Sequence, residues 1–210
     1  MNADIQSLRD DLAFLRALVQ AGEDNYRPLG ESYLLGGLVY GGEMLLHVGQ
    51  MAGLVPATPL ASLIVGAGPT AIFIAGLVLL LRRHAATMAA GGGLPAKAIR
   101  RAFAAIGISV LALIAVIGAV AIREQSLTVW FIFPCTVFVL QGTAWLLAFL
   151  LRRHAWQGVI AAGWFATGIA MAIFVTRQDI YILLAGVGLL GFMALPGYLM
   201  LRHARSLREG

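Results

Sequence analysis

The sequence predicts an all-α integral membrane protein: a bundle of six transmembrane helices, paired as three helix hairpins and preceded by a cytoplasmic amphipathic helix. Three observations carry that expectation. Hydrophobic residues make up 60% of the 210-residue chain and charged residues 12%, against a charged share of about 25% in soluble domains. Apolar stretches of roughly 20 residues recur, the length at which a helix crosses the hydrocarbon of a bilayer. Basic residues gather at alternate ends of those stretches, as membrane orientation requires.

The apolar stretches run from Tyr33 to Val55, Leu60 to Leu81, Ala102 to Ile122, Leu127 to Leu151, Trp156 to Val175 and Ile180 to Leu201. In lipid an unpaired backbone group costs several kcal/mol, so spans this long are helices or barrel strands, and the period-two alternation of a barrel is absent. The expected division is a cytoplasmic amphipathic helix and linker over residues 1–28, a transmembrane domain over 29–203, and a short basic tail over 204–210. The first apolar stretch follows some thirty mixed residues instead of a short basic start, so it is expected to remain in the mature chain.

Three connections, around Val55 to Pro59, Arg123 to Ser126 and Thr176 to Asp179, are short. All of the 15 Lys and Arg except Arg123 and Arg177 fall on the other side. The positive-inside rule then places both termini in the cytoplasm of a bacterial-type inner membrane. Dispersal of the net +5 charge over helix ends, with no basic face or arm, argues against nucleic acid as a partner. The paired arginines Arg82 and Arg83, Arg152 and Arg153, with Arg202, are placed to contact anionic lipid headgroups at that face.

Ahead of the first span, Ile5, Leu8, Leu12, Leu15 and Val19 recur at steps of three and four and form one apolar stripe. A helix that lies on an anionic leaflet carries a basic polar face, whereas this one carries Asp4, Asp10 and Asp11 beside Arg9 and Arg16. Its stripe is therefore expected to meet protein: a partner, a second copy, or the cytoplasmic end of its own bundle.

Inside the first span, Tyr40, Glu43, His47 and Gln50 fall at steps of three, four and three and share one helical face. A charge at the bilayer centre costs about 2.5–3.5 kcal/mol on insertion scales, so this face is expected to turn away from lipid. Two uses fit it. Glu43 and His47, one turn apart, can relay a proton or hold a cation; alternatively the four residues form a polar knot that pins helix packing, with Glu43 bonded to Gln141, Thr143 or Thr136. In the second span, Gly66, Gly68 and Pro69 mark a helix break that can shape a path.

Other motifs reduce to packing or linkage. Gly186 to Gly191 matches a dinucleotide fingerprint by letter, but inside a membrane span its glycines serve close helix contact. The glycines at 91–93 follow no strand and read as a linker. Cys135 stands alone, so no intrachain disulfide forms. His84, His154 and His203 fall at cytoplasmic helix ends, where they are expected to sit at the interface, and no metal or other cofactor is expected. Leu79 to Ala85, Phe149 to Ala155 and Leu199 to Ala204 echo one another as apolar residues, then arginine, histidine and alanine. Convergence on cations at helix C-termini accounts for this as readily as duplication does.

A lipid enzyme needs a nucleophile with a base, or several metal ligands, at one depth, and only Glu43 and His47 qualify. The expectation is a non-enzymatic scaffold, accessory subunit or regulatory module that binds a protein partner through its N-terminal helix. The alternative is a proton-coupled transporter or channel for a small solute that uses Glu43 and His47.

Overall fold

The computed structural model describes residues 26–90 and 94–209, and the apolar stripe from Ile5 to Val19 lies outside the described residues. All regular structure among the described residues is helical. The helices are α1 (Tyr26–Met51), α2 (Pro59–Ala90), α3 (Leu94–Arg123), α4 (Leu127–Arg152), α5 (Ala155–Ile173) and α6 (Gln178–Leu189), which runs through a π-helical stretch (Leu190–Ala194) into α7 (Leu195–Glu209).

Five spans are long and apolar enough to cross a membrane: Pro59–Ala85, Arg101–Arg123, Leu127–Arg152, Ala155–Ile173 and Gln178–Ser206. The chain is thus a multi-pass membrane protein by length and composition. Helix α1 is not among the five, because Glu43, His47 and its six glycines dilute the leucines and valines around them.

Local chemistry sets the helix ends. Ser126 caps α4 by accepting a hydrogen bond from the Val129 amide, and Thr58 accepts one from the Ala61 amide at the start of α2. Helix α4 stops where Arg153 adopts a left-handed backbone (φ 59°) and its amide closes on the Phe149 carbonyl. Beyond α1, Gly53 takes φ 72°, a conformation that glycine adopts without steric cost.

Each sequential hairpin packs as expected, α1 on α2, α3 on α4 and α5 on α6. The hairpins then close through α4 against α5 and through α1 against α6, the π stretch and α7. Helices α2 and α3 are peripheral: 11% and 6% of their apolar windows are buried, against 44% for Gln178–Ser206. Helix α2 rests chiefly on α1, and α3 on α4.

Glycine draws α1 and the Gln178–Ser206 span together. Gly37 lies in backbone contact with Ala194, and Gly197 with the Leu34 amide; Leu190 fills the notch at Gly41, and Met193 the one at Gly36. Pro196 explains the π stretch, since it offers no amide hydrogen to the Phe192 carbonyl and its ring crowds that group. The widened turn carries Phe192 into Gly163 of α5 while Leu190 and Met193 enter α1, so one irregularity keys three helices together. Gly186 and Gly188 likewise take up Met44 and Phe138, which gives the dinucleotide-like string its packing role.

An aromatic cluster fills the end of the bundle near the start of α1. Tyr33, Phe103 and Trp145 meet edge to face, with centroids 5.4 to 5.8 Å apart, and Trp156 adds to Trp145. Tyr33 and Trp145 are buried.

Candidate functional site

Helices α1 and α2 run antiparallel along a seam whose register three contacts define. Glu31 meets His84, Leu35 packs on Gly76, and the rings of Tyr40 and Phe73 lie 5.2 Å apart. Continuing that register brings Glu43 to the depth of Pro69 and His47 to that of Val65, both buried residues of α2. The polar stripe of α1 therefore faces α2, away from the α7 seam. Of the expected break in α2, Pro69 lies on this face, whereas a side chain at Gly66 or Gly68 would meet open space. Helix α2 continues unbroken through Pro69.

Within the stripe, one chain of polar groups runs from Glu43 to the loop after α1. Glu43 Oε1 lies 3.7 Å from His47 Nε2, His47 Nδ1 lies 3.2 Å from Gln50 Oε1, and Gln50 Nε2 donates to the Pro56 carbonyl at 3.0 Å. The Pro56 carbonyl accepts only, so it fixes which way the Gln50 amide points. Gln50 then presents its oxygen to His47, which holds a hydrogen on Nδ1. In the neutral ring, Nε2 is left with its lone pair toward Glu43. Exposure falls along the same line, from 29% for the His47 side chain to 13% for Glu43.

The partners considered for Glu43 on the fourth span are engaged elsewhere. Gln141 accepts from the Tyr33 hydroxyl at 2.6 Å, and the Thr136 and Thr143 hydroxyls bond back to carbonyls of their own helix. The core polar knot is instead Tyr33, Gln141 and Trp145, whose indole donates to the Tyr33 oxygen at 2.9 Å. Tyr181 forms a smaller one, donating to the Phe131 carbonyl at 2.8 Å beside Cys135.

A second carboxylate–imidazole pair stands at the other end of the seam. His84 Nε2 lies 2.8 Å from Glu31 Oε2, and Arg27 Nε reaches Glu31 Oε1 at 2.9 Å. Glu31 precedes the apolar stretch of α1. Burial pushes its carboxyl up, but hydrogen bonds from the His84 imidazole and the Arg27 guanidinium outweigh this and hold it below its ordinary range. His84 is thus buried against α1 instead of lying at the interface, while His154 and His203 are exposed. The histidines of the three echoing strings accordingly do not share one surrounding. Sequence spacing misses this pair because 53 positions separate its members.

Arg82, Arg83, Arg153 and Arg202 are exposed just beyond the apolar stretches, although α2 and α7 continue past Arg83 and Arg202 to Ala90 and Glu209, and Arg152 is half-buried. Among the described residues no group of three or more His, Cys, Asp or Glu side chains gathers as a metal site requires.

No protein-family model, curated protein or solved structure matches the chain.

Proposed function

We propose that this protein is a small multi-pass inner-membrane scaffold, accessory subunit or regulatory module. In this reading α1 is a sixth span, enclosed by α2 on one side and by Gln178–Ser206 on the other, and both termini lie in the cytoplasm. It has no catalytic role of its own. Residues 1–28 bind a protein partner, and the exposed arginines hold anionic lipids around that face.

The observation that carries the reading is the seam between α1 and the Gln178–Ser206 span. Backbone contact at Gly37 and Gly197, with Leu190 and Met193 seated in further glycine notches, resists sliding of those helices past one another. Alternating access needs one group of helices to rock against another around a central site. A bundle keyed this closely suits a fixed platform. The test is co-purification in mild detergent of the intact protein and of one lacking residues 1–25, read by mass spectrometry. A partner recovered with the first and lost with the second supports the proposal; one retained by both, or recovered with neither, refutes it.

The polar chain from Glu43 to Pro56 favours a second reading, proton-coupled transport of a small solute. Under it, Glu43→Gln and His47→Ala each abolish proton flux in liposomes, while loss of residues 1–25 leaves flux intact.

A further inference from the structure

We propose that Glu43 is a proton-binding site reached by water from one side of the membrane only, the side that carries the 52–58 loop. The proposal does not rest on partner binding, since a scaffold can carry such a site; proton-coupled transport through Glu43 would require access from the far side as well. Three features of the α1–α2 seam support it.

The first is directional connection. Gln50 bonds to the loop through the Pro56 carbonyl, and His47, partly exposed, stands between Gln50 and Glu43. The second is a closure on the far side. One turn beyond Glu43, the Tyr40 ring lies against Phe73, and the next position of the stripe, Gly36, is filled by Met193 and by Phe73 again. These packed rings and the Met193 side chain separate Glu43 from the Glu31–His84 pair, which belongs to the opposite end of the bundle. The third is the tautomer that Gln50 imposes, which leaves the His47 Nε2 lone pair as the group that faces Glu43.

The step balances without any other reactant. Nε2 of neutral His47 takes a proton from hydronium on the loop side, leaving water, while Nδ1 keeps its hydrogen toward Gln50. The imidazolium then passes the Nε2 proton to the Glu43 carboxylate and returns to the neutral ring. Closing the 3.7 Å gap requires a side-chain rotation in Glu43 or one bridging water.

Neighbouring charges do not compete. Helix α2 has no titratable side chain from Val65 to Phe73, and neither does the loop from Ala52 to Thr58. On the α6 side, Met44 packs on Gly186, and Asp179 at the start of that helix is exposed and paired with Arg177. On α1 itself the titratable neighbours are Tyr40 and His47. Protonation at this place is therefore a property of the Glu43–His47 pair.

The test has two parts. In a Cys135→Ala background, E43C and a reference cysteine in the loop, A57C, are treated with a charged, membrane-impermeant thiosulfonate in right-side-out and in inside-out vesicles. The expected result is that both react from the same side and neither from the other. Reaction of E43C from the opposite side, from both sides, or from neither overturns the proposal. The second part uses the native chain, so a misfolded cysteine variant does not decide the matter. The protonated-carboxyl infrared band that disappears in E43Q must titrate with bulk pH, and H47Q must slow its response to a pH jump by at least about tenfold. A Glu43 band indifferent to pH, or a response unchanged in H47Q, equally overturns it.

Discussion

Gly37 and Ala194 are in backbone contact, so that a Cβ at position 37 would overlap the Ala194 amide nitrogen. Such a clash cannot be relieved by rotating a side chain. Overpacking of this kind costs about 1–3 kcal/mol. Gly37→Ala and Gly197→Ala are expected to lower the unfolding temperature of the detergent-solubilised protein clearly, whereas Gly107→Ala, at a position with open space around it, leaves it unchanged or raised. Differential scanning fluorimetry on the three variants reads this directly.

Tyr33 offers one hydroxyl to two partners, Gln141 and Trp145. Tyr33→Phe removes it and leaves a half-buried amide oxygen and a buried indole N–H unsatisfied, at a cost of about 1–3 kcal/mol. Adding Gln141→Leu to Tyr33→Phe removes one of the orphaned groups, so the double variant is expected to recover part of the loss. A double-mutant cycle on unfolding temperature measures the coupling. Additive losses would show that the three groups do not act as a unit.

The two carboxylate–imidazole pairs are expected to differ in weight. At 2.8 Å His84 and Glu31 are hydrogen-bonded and join α2 to α1, while at 3.7 Å His47 and Glu43 are not, and they lie on the same helix. Glu31→Gln is therefore expected to destabilise the bundle. Glu43→Gln shifts its stability by less than about 1 kcal/mol, because a weak pair gives back little when one desolvated charge is removed. Thermal unfolding of the two variants side by side gives the comparison.

Glu31 also predicts a pH dependence. Its carboxyl is held below the ordinary value of 4.5 in the folded protein, so the unfolded chain binds the proton more readily. The stability it contributes is fully present above 4.5 and is lost as pH falls through the lower, folded value. Unfolding temperature in detergent should fall across that acidic window in the wild type and fall less steeply in Glu31→Gln. Equal slopes would remove Glu31 as the source.

Much of this arrangement is legible along the chain. Apolar length gives the spans, and the stripe from Tyr40 to Gln50 follows from helical spacing alone. These are local properties, set by hydrophobic burial and the 3.6-residue turn. The effect of Pro196 was not legible, because a helix that meets proline can kink, stop or widen. Contact with Gly36, Gly37 and Gly163 accompanies the widened form.

The sequence by itself determined that this is a helical, multi-pass membrane protein, which apolar stretches lie within its helices, and that Glu43, His47 and Gln50 share a face. Only the tertiary structure decided that this face turns to α2, that the first helix closes on the last, that His84 is buried on Glu31, and that Tyr33, not Glu43, takes Gln141. The physical reason is that each of these depends on which helix lies beside which. Apolar helices of similar length are nearly interchangeable in lipid. Their neighbours are chosen by a few glycine notches and polar pairs set far apart in the chain, which acquire meaning once the helices are assembled.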